Sequence, residues 1–235
     1  MSSGEQTLLV ALVAFAAGVA LGRVWARLRA GGLAEARKRR EGSIHYILGL
    51  DYLASGQIDP AVTELTRAAQ DDTEAMEIYL ILGNLFRQKG QVERAIQIHQ
   101  SILHRPGLTA RERAHALLCL GLDFKRAGFR NRALETLEEV RRLDSGNTYA
   151  LEHLRKIHEE EHDWQKALAV HQQSRATGGS VDATLAAFLH DQIGQSTLLA
   201  SNEGLAARSF EAAIECDRRL SPAYLHLGDL RARQG

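Results

Sequence analysis

The hydrophobic pattern divides the chain into two parts. Residues 6–22 read QTLLVALVAFAAGVALG, with no charge between Glu5 and Arg23. Val24, Trp25 and Ala26 carry the apolar run past Arg23, whose long side chain can reach toward an interface. A span over about 6–26, roughly 20 residues, crosses about 30 Å of hydrocarbon as a helix. Residues 1–28 therefore predict a transmembrane anchor. Beyond it the apolar positions recur three and four residues apart, as in Tyr79, Leu82 and Phe86, or Leu117, Leu120 and Phe124. That spacing predicts amphipathic helices and an all-α chain, with no β-type alternation.

A longer period overlies the helical one. Gly49 and Gly83 are 34 residues apart, as are Gly56 and Gly90, Ala61 and Ala95, and Ala133 and Ala167. A period of about 34 marks the tetratricopeptide repeat, a pair of antiparallel helices. Its small eighth residue (Gly49, Gly83, Gly121, Gly194) lets the two helices cross closely. Its fifteenth (Gly56, Gly90, Gly128) supplies a left-handed turn. A small twentieth residue (Ala61, Ala95, Ala133, Ala206) completes the contact. The fold expected is a right-handed tetratricopeptide solenoid over 43–235, with units at 42–75, 76–113, 114–147, 148–186 and 187–220 and a partial one at 221–235. The extra residues of the second and fourth units are expected at the ends of their second helices. Thr109 with Glu112 reads as a capping box, and Asp59-Pro60 and Ser221-Pro222 as helix starts. The fourth unit is degenerate, with Arg155 and His162 where glycines are expected, and the fifth carries Ser201 at its turn. Gly235 falls in the turn of the sixth unit, so the sequence is expected to be partial, or its last face to be covered by a partner.

Charge orients the anchor. Seven bases and one acid lie between Arg23 and Arg40, while Lys+Arg and Asp+Glu balance at 29 each overall, so the repeats are mildly acidic. A nucleic-acid binder carries its basic charge on the folded part, which argues against that class. A cleaved signal peptide needs bases before the apolar run, and none precede it here. The bases that follow it hold the C-terminal side in the cytoplasm. Residues 29–42 read as a basic juxtamembrane linker able to lie against anionic headgroups. Ala14, Gly18 and Gly22 share a small-xxx-small stripe suited to contact with another membrane helix. A periplasmic repeat domain is the alternative topology. Cys119 and Cys216 provide neither a disulfide framework nor a four-cysteine metal site.

Little in the chain suggests catalysis. His158-Glu159-Glu160-Glu161-His162 matches HExxH, the zinc-protease pattern in which two histidines bind metal and the glutamate activates water. The repeat phase places His158 on the packed face and His162 in a turn, so neither a metal nor another cofactor is expected, and a zinc hydrolase is the rival reading. His99 and His171 share one repeat position, a packing slot. A concave groove is expected to be lined by first helices, presenting Asn84, Arg87, Gln88, Lys125, Arg126, Glu152, Lys156 and Asp191. Asn84, Arg87, Lys125 and Arg126 would donate to an acidic or carboxylate-bearing segment of a partner.

With this phase in place, the stretches LGNLFRQKGQVERAIQIHQ (82–100), LGLDFKRAGFRNRALETLEEV (120–140) and DWQKAL (163–168) resemble the lipopolysaccharide assembly protein B family. Its members are membrane-anchored tetratricopeptide proteins of Gram-negative bacteria. Asn84, Arg87, His99 and Gln100 make the first block more specific than a generic repeat. The resemblance implies a non-catalytic adaptor on the cytoplasmic face of the inner membrane. Such an adaptor helps a membrane-bound AAA+ protease degrade the deacetylase that commits precursors to lipid A. It also implies restraint by an inner-membrane lipopolysaccharide sensor that contacts the anchor region; a homo-oligomer is a further possible assembly. The family ends in a rubredoxin-like metal module with two Cys-x-x-Cys pairs, which this sequence lacks. The rival binding-protein reading is a repeat assembly factor of another envelope complex.

Overall fold

The computed structural model describes residues 44–71, 75–178 and 182–234. The candidate anchor over 6–26, its Ala14, Gly18 and Gly22, and the linker 29–42 lie outside them. Among the described residues every regular element is an α-helix. They are α1 (44–54), α2 (Ile58–Asp71), α3 (Met76–Gln88), α4 (Val92–Leu103), α5 (Ala110–Arg126), α6 (Arg130–Leu143), α7 (Thr148–Glu160), α8 (Trp164–Ala176), α9 (Ala183–Leu199), α10 (Glu203–Cys216) and α11 (Ser221–Gln234). None of these helices is long and apolar enough to cross a membrane. The connections that follow the ends of the second helices, after Leu103 of α4 and after Ala176 of α8, lead into α5 and α9, which each have 17 residues.

The chain forms two compact units, one up to Leu85 and one from Phe86 onward. In the first, Gly49 of α1 faces Leu65 of α2 so closely that a Cβ would lie 2.6 Å from Leu65 Cγ. Ala61, Leu65 and Ala68 are fully buried beneath it. His45 Nδ1 meets Glu64 Oε2 at 2.6 Å, and the Tyr79 hydroxyl donates to the Ala69 carbonyl at 3.3 Å. The Gly49–Leu65 and His45–Glu64 contacts fix which side of α1 is packed. The other side leaves Ile44, Ile47, Leu48 and Leu50 exposed.

In the second unit each helix from α4 to α11 packs on its chain neighbour. Leu117, Leu120, Phe124, Leu137, Val140, Leu151, Leu154 and Ile157 form one continuous core. Phe210, Leu227 and Leu230 form another. The small positions again mark the crossings: a Cβ on Gly121 would lie 2.9 Å from Leu137 Cγ, and one on Gly194 2.4 Å from Phe210 Cε1. Gly194→Ala is therefore expected to lower stability by up to about 2 kcal/mol, because overpacking of about 1–3 kcal/mol opposes the roughly 1 kcal/mol helical gain of alanine. Gly228 of α11 has nothing within 4 Å of its missing Cβ, so Gly228→Ala serves as the opposite control, stabilising in the same denaturant titration.

The turns between paired helices share one geometry. At Gly56, Gly90 and Gly128, all with positive φ, the glycine N–H bonds three residues back and the next N–H bonds five residues back. This is a Schellman motif, which satisfies the last carbonyls of a helix. His162 (φ 58°) and Ser201 (φ 61°) make the same pair of hydrogen bonds without glycine. The helix starts are capped. Thr109 Oγ1 accepts from the Glu112 N–H while Glu112 Oε2 accepts from the Thr109 N–H, and Asn147, Asp163, Asp182 and Asn202 each accept from a first-turn N–H. Arg94 stacks over Phe86 and Arg132 over Phe124, each 3.9 Å from the ring centroid, pinning second helices to first ones.

Candidate functional site

The C-terminal turn of α3 delivers Arg87 to the side of α5. Its Nη1 donates to Asp123 Oδ1 at 2.7 Å and to the Cys119 carbonyl at 3.2 Å. Asp123 is wholly buried. Its second oxygen meets Nδ1 of the equally buried His99, from α4, at 2.5 Å. One carboxylate thus receives two cationic donors, one from the interior and one from the rim. Burial alone would lower the His99 pKa, but the Asp123 hydrogen bond and the Cys119 side chain outweigh it and raise the value to about 9. Cys119 is the counterpart. Burial raises its pKa, while hydrogen bonds from His115 and His99 bring it down to about 6.

Above this buried network lies an open depression of about 510 Å³, lined by Arg87, Gln88, Leu122, Lys125, Arg126 and His153. Four of the residues expected in the groove meet here: Arg87, Gln88, Lys125 and Arg126. Lys125 Nζ bridges to Glu160 Oε1 at 3.1 Å, which leans it toward α7. His153, from α7, has its Nδ1 buried without a hydrogen-bond partner. Burial first, and then Lys125, Lys156 and Arg87, hold its pKa below the usual histidine value. A neutral imidazole therefore sits among cations, and an anion placed beside it would favour its protonation. Three basic heads and an amide around a shallow floor can donate to a carboxylate or another anionic group.

The remaining residues stand elsewhere. Asn84 is half-buried in the part of α3 that belongs to the first unit. Lys156 is paired with Glu152 at 2.5 Å on the exposed side of α7. Asp191 is not a groove residue: it is buried in α9, where it accepts from His226 Nδ1 at 2.8 Å and Gln195 Nε2 at 2.7 Å. The pattern missed Asp123 altogether, although a histidine in the packing slot at His99 requires a buried acceptor, and that was the available signal. His171, in the same slot, is buried against a smaller cavity of about 420 Å³ beside Arg155 and Ser174. His158 is buried in α7 with Nδ1 unpartnered, and the His162 ring packs against Trp164 at 5.3 Å. Among the described residues no cluster of three histidine, cysteine or acidic side chains is arranged to hold a metal.

No family model matches the chain. The chain is similar to curated proteins named lipopolysaccharide assembly protein B. It is 37% identical to the one from Escherichia coli K12 over 125 residues, which take in 53% of this chain and 32% of that protein. The one from Haemophilus influenzae is 31% identical over 137 residues, taking in 53% and 34%. The chain thus spans about a third of the length of these relatives. A barley protein named probable UDP-N-acetylglucosamine–peptide N-acetylglucosaminyltransferase SPINDLY is 28% identical over 149 residues, 15% of its length. Among solved structures, a tetratricopeptide repeat protein of Parabacteroides merdae superposes with a TM-score of 0.58 at 17% identity, covering 81% of this chain and 72% of that one. The C-terminal part of a repeat protein from Cytophaga hutchinsonii gives 0.61 at 16% identity, covering 80% and 73%. These likenesses show the fold, stacked helix pairs of the tetratricopeptide kind.

Proposed function

We propose that this chain is a non-catalytic adaptor of lipopolysaccharide assembly, tethered by residues 6–26 to the inner membrane with its repeats on the cytoplasmic side. The similarity to lipopolysaccharide assembly protein B carries this reading. In its finer form, the repeats hold the deacetylase of the committed lipid A step for a membrane-bound AAA+ protease. An inner-membrane lipopolysaccharide sensor contacts the anchor through Ala14, Gly18 and Gly22. The depression at Arg87, Gln88, Lys125 and Arg126 is the candidate docking point, with Lys156 as a further contact, and it suits an acidic stretch of a client; Asn84 is a separate candidate contact. The adaptor itself needs no cofactor for this role. Similarity to 15% of a protein named as a glycosyltransferase supports a shared repeat fold and does not transfer that reaction.

The test is the lifetime of the deacetylase in cells. Deleting the chain is expected to lengthen it several-fold, with wild-type protein restoring turnover and the Lys125→Glu, Arg126→Glu double variant failing to do so at equal abundance. An unchanged lifetime rejects the regulatory role and points to another envelope complex, which pull-down from solubilised membranes would identify.

A further inference from the structure

We infer that the exposed face of α1 is a membrane seat, lying in the headgroup region of an anionic bilayer. Ile44, Ile47 and Leu48 fall at i, i+3 and i+4 and form one stripe, with Leu50 beside it. Ile44 is 52% and Ile47 61% exposed. The stripe's direction is fixed, because Gly49 is pressed against Leu65 and His45 is tied to Glu64 on the opposite side. Four aliphatic side chains facing water on an 11-residue helix need a cover.

Two observations choose lipid as that cover. The sequence just before α1 is Arg37-Lys38-Arg39-Arg40, with Arg27 and Arg29 upstream. Bases that precede an apolar helical stripe in sequence match the composition of an interfacial segment, in which cations meet anionic headgroups while aliphatic side chains enter the acyl boundary. The patch is also too small for a stable protein interface, which takes roughly 20–30 residues a side. Asp51 lies exposed on the same face one turn beyond Ile47 and Leu48, and marks where the seated stretch ends. The seat rests on the membrane-tethered reading above and adds to it that the first repeat is oriented by the bilayer.

The test uses the full chain in vesicles of phosphatidylcholine, with and without phosphatidylglycerol. Cys216→Ser removes the exposed thiol and leaves the buried Cys119. An environment-sensitive fluorophore is placed at Ile47→Cys, or at Gln70→Cys on the exposed side of α2 as control. The label at 47 is expected to shift to the blue and to lose about fivefold in quenching by iodide, with phosphatidylglycerol required and the label at 70 unchanged. Flotation with the vesicles reads the tether separately. A chain that floats with the 47 label still fully quenched overturns the seat alone, and a chain that does not float overturns both seat and tether. Protection that is the same in vesicles without phosphatidylglycerol would assign the face to the chain's own N-terminal segment. Protection that grows with protein concentration would assign it to a second copy. Either result overturns the seat.

Discussion

Replacing Asp123 by alanine is expected to lower the unfolding free energy by about 3–5 kcal/mol, the range for removing one member of a buried ion pair. Asp123 is inaccessible to solvent and accepts from both Arg87 and His99. Its loss takes the carboxylate partner from a buried imidazole and from the Arg87 head, so the penalty includes weakened charge compensation as well as lost contacts. Lys156→Ala, which breaks only the exposed pair with Glu152, is the comparison and should cost under about 1 kcal/mol. Urea unfolding of both variants reads the difference. A drop below about 1 kcal/mol for Asp123→Ala would remove the network from its structural role. The effect also reaches the surface, because Arg87 lines the basic depression and Asp123 holds it there.

A second expected result is a pH dependence that emerges only when Cys119 is removed. His99 has a folded pKa of about 9, above the ordinary 6.5, so its contribution is complete below pH 6.5 and lost as pH rises through about 9. Cys119 has a folded pKa of about 6, below the ordinary 9.0, so its contribution is present above pH 9 and lost as pH falls through about 6. The two windows coincide and the signs oppose. Between roughly pH 6.5 and 9 these two groups together hold one proton in the folded and in the unfolded chain, on different atoms, so their joint contribution is flat. Cys119→Ala deletes one half of this balance. In the variant Asp123 still raises His99 but the Cys119 share of the rise is gone, so the variant should lose under about 2 kcal/mol between pH 6.5 and pH 9, in the direction set by His99 alone, while the parent changes less. Denaturant titrations at the two pH values measure both, and a flat variant would refute the linkage.

Much of the architecture was readable because it depends on side-chain size. Gly49, Gly121 and Gly194 stand where a methyl group would strike Leu65, Leu137 or Phe210, and Gly56, Gly90 and Gly128 stand where φ is positive. Spacing reports such constraints directly. The capping box at Thr109 and Glu112 was legible for the same reason, being local in sequence. Asp123 and Asp191 were not, because a polar residue on an amphipathic helix reads as exposed until its distant partner is known. Those partners, His99 and His226, lie 24 and 35 residues away. Within the depression, Arg87, Lys125 and Arg126 follow from repeat phase, but His153 does not: its role comes from burial beside cations on another helix.

The turns at His162 and Ser201 have a consequence for how such proteins are detected. Both residues hold a left-handed conformation that costs a side-chain-bearing residue about 1–2 kcal/mol, yet both hairpins keep the hydrogen bonds of the glycine turns. The helices on either side dictate the bend, and the residue at its apex conforms. Selection can thus erase the signature letters of a unit while leaving its backbone in place. Statistical profiles weighted on those letters grow blind to such units, and comparison of shapes goes on recognising them.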